Sequence, residues 1–245
     1  MSIDIHKNTD GVAVVTLNRP QSLNALDVPA KKLLGMIWRD LADDNSVRAI
    51  VLTGSGTRAF CAGSDIKEMA RTGQMADTET LLNAMPNAGH VINKPIIAAV
   101  FGVTFGFGLN LAIHCDLRIA QENSRLSFPE VPHGMITGAS VRLPQIIPQA
   151  KAFEYLLLGE EIPLKDALAF GLLNQVVPDA LETALSCARK LAAMPNAAVS
   201  ATKSLIRLSS HLSEDQRREI AHQRALVEAQ RDFMNNASDF DKRNR

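Results

Sequence analysis

Two turns and one loop of this 245-residue chain hold the residue types from which an acid–base site can be built. Ala62-Gly-Ser-Asp65 and Gly106-Phe-Gly-Leu109 place small residues where a strand hands over to a helix. Helix N-termini leave backbone N–H groups without intrahelical acceptors and carry partial positive charge. Two such turns can aim two donors at one carbonyl oxygen and so stabilise an enolate or a tetrahedral oxyanion, each donor contributing about 2.7–4 kcal/mol. The third segment, Ser127-Phe-Pro-Glu130, holds a carboxylate between apolar residues. A Glu kept partly out of water has a raised pKa and can act as general acid or base. Each segment also has a plainer reading, with glycines that only relieve crowding and a Glu130 that is solvated.

The remaining polar residues narrow the chemistry. His114 lies in an apolar stretch and reads as a core histidine, whereas His133, three residues after Glu130, can line the same pocket. There is no His-x-x-x-His and no carboxylate cluster with metal-ligand spacing, so no metal is expected. Gly54-Ser-Gly lacks the rest of a P-loop or dinucleotide signature. Cys61, Cys115 and Cys187 are odd in number and widely spaced, which fits a reducing compartment rather than a disulfide framework. With 26 acidic and 26 basic residues the net charge is zero, which argues against a nucleic-acid partner. The N-terminal residues lack the apolar core of a secretory signal, so a cytoplasmic protein is expected.

The elements that must position these residues centre on Lys94 to Asp116, between which no Asp, Glu, Lys or Arg occurs. That length approaches a membrane span, but its internal punctuation argues otherwise. Ile96–Val100 is a β-branched run suited to a buried strand, Gly102, Gly106 and Gly108 break it, and Leu109–Cys115 can be a helix. Upstream, Ile3–Lys7 and Gly11–Leu17 read as strands joined by a turn. Asp27 and Pro29 start a helix with Leu33, Leu34, Ile37 and Leu41 on one face, and Ala49–Thr53 is another buried strand. Downstream, Leu117–Ala120 and Asn174–Val177 read as strands, Pro163 and Gly171 bracket a short helix, and residues 180–245 read as helices. The apolar fraction of 46% supports a real core, and alternating strands and helices followed by helices alone give an α/β class.

At Phe60-Cys-Ala-Gly-Ser-Asp-Ile-Lys-Glu-Met69 the chain resembles the signature of the enoyl-CoA hydratase/isomerase (crotonase) superfamily. Arg19-Pro-Gln-Ser-Leu-Asn-Ala-Leu26, Lys94-Pro-Ile-Ile-Ala-Ala-Val100, Cys115-Asp-Leu-Arg-Ile-Ala120, Phe128-Pro-Glu130 and Asp239-Phe-Asp-Lys-Arg243 match other family segments in the same order. The resemblance implies a ClpP/crotonase-like spiral of repeated β-β-α units over residues 1–190. A helical C-terminal trimerisation segment, 191–245, would follow, in a homotrimer or dimer of trimers. It implies an acyl-CoA substrate, with coenzyme A present only as part of that thioester and no permanently bound cofactor. By position, the oxyanion donors would be the N–H groups of Ser64 and Phe107. Leu23, Ala25 and Ala62 would hold the adenine, and Arg58, Lys67 and Lys242 would meet the coenzyme's phosphates.

The resemblance also frames the reaction. Family hydratases use two glutamates; Glu130 matches the second, but Asn110 stands at the first. An amide can hydrogen-bond water yet cannot take its proton at neutral pH. Isomerases of the family need only the Glu that matches Glu130, so single-carboxylate isomerisation is favoured slightly over hydration. Another subgroup carries an Asp in the following loop, where this chain has Thr137 and Gly138; Gly138 matches a family glycine whose N–H can hold water. Leu143-Pro-Gln-Ile-Ile-Pro148 resembles the subgroup containing carnitinyl-CoA dehydratase. The alternatives are a decarboxylase or hydrolase acting on another acyl-CoA, or a catalytically silent binding protein.

Overall fold

The computed structural model describes residues 2–208 and, beyond them, 214, 215, 217, 218, 221, 222 and 225. The strands are β1 (Ile3–Lys7), β2 (Val12–Leu17), β3 (Ala49–Gly54), β4 (Ala59–Cys61), β5 (Ile96–Val100), β6 (Val103–Phe105), β7 (Leu117–Gln121), β8 (Arg125–Ser127), β9 (Glu161–Ile162) and β10 (Gln175–Val177). The helices are α1 (Val28–Asp43), α2 (Ile66–Thr72), α3 (Thr78–Ala84), α4 (Phe107–His114), α5 (Ala139–Arg142), α6 (Gln149–Leu158), α7 (Leu164–Ala169), α8 (Ala180–Ala193) and α9 (Asn196–Leu208). Lys242 and the segment around it lie outside the described residues.

Two sheets are built turn by turn. The larger runs β1-β2-β3-β5-β7-β10 and the smaller β4-β6-β8-β9. Each winding lays one long strand in the large sheet and then one short strand in the small sheet: β3 then β4, β5 then β6, β7 then β8. Within both sheets these strands pair in parallel. This is the expected spiral of β-β-α units, and it stacks the ends of β4, β6 and β8 beside one another.

Alternation along the long strands explains why they are almost wholly apolar. In β3, Ile50 and Leu52 join the main core while Ala49 and Val51 face a second one. Strands covered on both faces lose the polar half of the alternation. The second core is closed by α8, whose Ala180, Ala184, Ala188 and Ala192 recur every four residues and lie buried against β2, β3, β5 and β7. Alanine at each of these positions lets the helix approach the sheet closely.

Helix α1 starts where expected: the Asp27 carboxylate accepts Ala30 N–H at 2.8 Å, and Pro29 occupies the first turn. Its buried face is wider than the four leucine and isoleucine positions suggest. It includes Ala30, Lys31, Gly35 and Trp38, whereas Leu33 is only half-buried. Trp38 donates its indole N–H to Ala84 O at 2.7 Å, which ties α1 to α3. Helix α4 begins at Phe107, two residues before the expected start, and takes Gly108 into its first turn. Gly108 acts there through close packing rather than as a breaker, because a Cβ on it would collide with Cys61 O.

Candidate active site

The floor of the site is the loop from Arg19 to Leu26, sewn to the first turn. Asn24 is buried and left-handed (φ 56°), and its amide donates to Ser55 O at 2.9 Å and Ala59 O at 2.8 Å. Its carbonyl accepts Arg19 N–H at 2.9 Å, and the Arg19 guanidinium reaches Asp65 at 2.9 Å. Backbone bonds complete the seam: Ala62 N–H to Leu23 O, Leu26 N–H to Gly63 O and Asp65 N–H to Leu26 O. The Ser64 N–H lies between the last two and points the other way, as alternate residues of a paired strand do.

The second turn meets the first across the small sheet. Gly106 has φ 52° and ψ −123°, a conformation open mainly to glycine, and its N–H bonds Ser127 O at 2.9 Å. Phe107 follows as the first residue of α4, so its N–H has no intrahelical acceptor. A Cβ on Gly63 would stand 3.4 Å from Phe107 N, which measures how closely the two turns approach. Among the described residues no backbone acceptor takes either the Ser64 or the Phe107 N–H.

Glu130 enters from β8. Phe128 is fully buried and anchors the loop, while Glu130 O accepts the N–H groups of His133 and Met135 at 3.0 and 2.9 Å. The carboxylate is buried, and burial raises its pKa to about 7; its own backbone and a hydrogen bond from Thr137 pull the other way. Oε2 of Glu130 and Oδ1 of Asn110 are both buried, with no hydrogen-bond partner among the described residues. Asn110 lies on α4, and its amide nitrogen is near Gly138: a Cβ there would meet Nδ2 at 3.3 Å. His114, one turn further along, gives Nδ1 to a 2.8 Å contact with Asn110 O, and burial lowers its pKa to about 4, so it is neutral.

A cavity of about 410 Å³ gathers these groups. Its wall includes Ser64, Phe107, Asn110, Glu130 and Gly138, so all five catalytic candidates share one space, and Leu23, Ala62 and His133 line it too. Glu130 is the only carboxylate among the described lining residues. The coenzyme candidates divide. Leu23 and Arg58 line a second hollow of about 280 Å³, where the Arg58 guanidinium donates to Pro20 O at 2.8 Å. Ala25 is buried and faces neither cavity, and Lys67 is exposed on α2. The sequence reading noted Thr137 only as standing where a related subgroup has Asp, not its bond to Glu130, and it missed Lys31, which α1 carries into the pocket. The signal for Lys31 was its spacing from Leu34, Gly35 and Trp38, three, four and seven residues on, which places it on their face of the helix. Among the described residues no cluster of His, Cys, Asp and Glu suits a metal ion, and no helix is long and apolar enough to cross a membrane.

The sequence profile of the enoyl-CoA hydratase/isomerase family matches residues 7–237. The (E)-benzylidenesuccinyl-CoA hydratase of Thauera aromatica is 41% identical over 197 residues, 78% of this chain and 77% of that protein. The carnitinyl-CoA dehydratase of Proteus mirabilis is 34% identical over 220 residues, 87% of this chain and 84% of that one. A crystal structure of an enoyl-CoA hydratase/isomerase from Mycobacterium paratuberculosis superposes with a TM-score of 0.86 at 30% identity, covering 97% and 98% of the two chains. The spiral is thus that of the crotonase superfamily, and this chain belongs to the enoyl-CoA hydratase/isomerase family. It is an enzyme that carries out a hydratase/isomerase-type reaction on an acyl-CoA thioester.

Proposed function

We propose that this enzyme hydrates a 2-enoyl-CoA, or dehydrates the corresponding 3-hydroxyacyl-CoA, with Glu130 as its only acid–base residue. The observation that carries this reading is that Asn110 and Glu130 line one cavity and each holds a buried acceptor, Oδ1 and Oε2, with no partner among the described residues. Buried acceptors without partners are costly, and a water molecule donating to both satisfies them. Asn110 orients that water, and the Glu130 carboxylate takes one of its protons as the oxygen adds to C3. The Ser64 and Phe107 N–H groups hold the enolate oxygen that develops on the thioester. Glu130 then returns the proton to C2, which restores both the carboxylate and the thioester. A carboxyl pKa near 7 suits a group that must act in both directions. The hydratase and dehydratase names of the relatives support the direction of the chemistry.

A lone carboxylate also supports a second reading, isomerisation, in which Glu130 moves a proton between C4 and C2 of a 3-enoyl-CoA without water. Matched 2-enoyl- and 3-enoyl-CoA substrates separate the two, assayed with the parent enzyme, Glu130→Gln and Asn110→Leu. Hydration that is lost in both variants supports the first reading. Isomerisation that exceeds hydration and survives Asn110→Leu replaces it with the second.

We read residues 191–245 as the segment that assembles three copies around the core of residues 1–190. The half of α9 that turns Leu205 to solvent, 67% exposed, supports that reading. A sedimentation mass of one chain would overturn it.

A further inference from the structure

His114 has the burial of a core histidine, at 8% exposed, yet it lines the cavity one helical turn beyond Asn110. A backbone carbonyl only accepts, so the 2.8 Å contact with Asn110 O makes Nδ1 the protonated nitrogen. A neutral imidazole carries one N–H, which leaves Nε2 as a bare acceptor. Burial, with the charges of Arg142, Arg207 and Arg118 behind it, holds the ring neutral at pH 7 despite the Asn110 bond. Among the described residues nothing donates to Nε2. Because Nδ1 is turned back onto its own helix, the edge of the ring left to the cavity is the one that carries Nε2.

The cavity offers this acceptor little polar company. Leu81, Leu82 and Met85 line it from α3 and the residue that follows, and Asn87 Nδ2 donates to His114 O at 3.1 Å, which ties that segment to the end of α4. A hydrocarbon acyl chain laid there would strand Nε2 without a donor, and leucine at this position would serve such a chain better. A donor on the substrate removes the penalty. Helix α4 also sets the distance: Phe107 opens it, Asn110 follows by one turn and His114 by two. Side chains four residues apart stand about 6 Å from one another, on the order of four or five carbons of an extended chain. We propose that His114 selects the acyl group, so that the preferred thioesters carry a hydroxyl about four or five carbons beyond C3 that donates to Nε2. The inference rests on the reading that places C3 between Asn110 and Glu130.

Straight-chain 2-enoyl-CoA thioesters that end at C7 or C8 in a methyl, a hydroxyl or a carboxylate test it on the parent enzyme, His114→Leu and His114→Gln. The parent is expected to favour the hydroxyl end over the methyl end by about tenfold or more in kcat/KM at one of the two lengths, mostly through KM. His114→Leu should lose on the hydroxyl end and gain on the methyl end, which brings the ratio to about one or below. His114→Gln, whose side-chain carbonyl still accepts, should keep part of the preference. Equal use of both ends by the parent would overturn the proposal and leave Nε2 to water alone. A preference that survives His114→Leu, or a carboxylate end favoured over the hydroxyl, would overturn it too. Losses shared equally by all ends in both variants would make His114 a support of α4 and nothing more. Calorimetric binding of the saturated thioesters reads the inference without turnover. If no enoyl thioester reacts but the hydroxyl preference persists in binding and disappears in His114→Leu, the proposed reaction fails and this assignment stands. Equal binding of hydroxyl and methyl ends defeats it whatever the reaction. Thermal melts report whether the variants fold, and the parent's own preference decides the matter if they do not.

Discussion

Gly106 lies directly against the carboxylate of Glu130, so that a Cβ on the glycine would stand 3.4 Å from Oε1. The bond from Gly106 N–H to Ser127 O holds the two in place, three residues before the carboxylate itself. The turn that presents the proposed oxyanion donor, Phe107 N–H, therefore also shapes the space around the proposed base, Glu130.

Gly106→Ala should cost about 1–3 kcal/mol of stability, because φ 52° with ψ −123° disfavours any side chain. It should also lower kcat, because relief of the strained φ shifts the turn that carries the Phe107 N–H beside Glu130. Gly73→Ala is the control: φ is 68°, but nothing stands near a Cβ there, and activity should be kept. Urea denaturation and kcat measured on both variants check the pair.

Glu130→Gln should lower kcat about 10²–10⁴-fold while stabilising the protein at alkaline pH. The folded carboxyl has a pKa raised from 4.5 to about 7, so its protonated form is the one the fold favours. Its contribution is complete below pH 4.5 and is lost as pH rises through 7. Between pH 4.5 and 8 the parent should lose about 3 kcal/mol relative to Glu130→Gln. Denaturant titrations at the two pH values check this, and a parent that gains stability relative to the variant would refute it.

Phe107→Pro should remove the proposed oxyanion donor at this position without breaking α4, since proline is tolerated at the first helical position. The expected loss in kcat is about 10²–10³-fold. Phe107→Leu keeps the N–H and should retain most of kcat; equal losses in the two variants would mean that the ring, not the donor, matters.

Asn24→Ala should destabilise by about 3 kcal/mol, because it strands Ala59 O and Arg19 N–H and leaves alanine in a left-handed conformation. The loop that carries Leu23 should loosen, raising KM for acyl-CoA more than it lowers kcat. Melting curves and steady-state kinetics separate the two effects.

Much of the site was legible because its parts are local. The turn residues around Ser64 and Phe107 and the carboxylate at Glu130 each declare themselves within a few positions, and the cavity holds all three. The long strands were legible too, since apolar runs such as Ile96–Val100 have few other uses. Strands β6, β8 and β9 were not, because two or three residues are too short to show a period, and their pairing partners lie in other windings of the spiral.

The sequence by itself determined the α/β class, the order of buried strands and the residue types available for enolate chemistry, since these follow from backbone propensity and local pattern. Only the tertiary structure decided that Asn110 and Glu130 would share a cavity, each with a buried acceptor unpartnered among the described residues, and that Gly106 would lie beside the carboxylate. It also turned Lys31, one of two adjacent lysines, into the pocket beside Ser64 while Lys32 stayed in solvent. The reason is that burial and partnership depend on distance in space between chain segments far apart in order, and a run of letters carries no such distances.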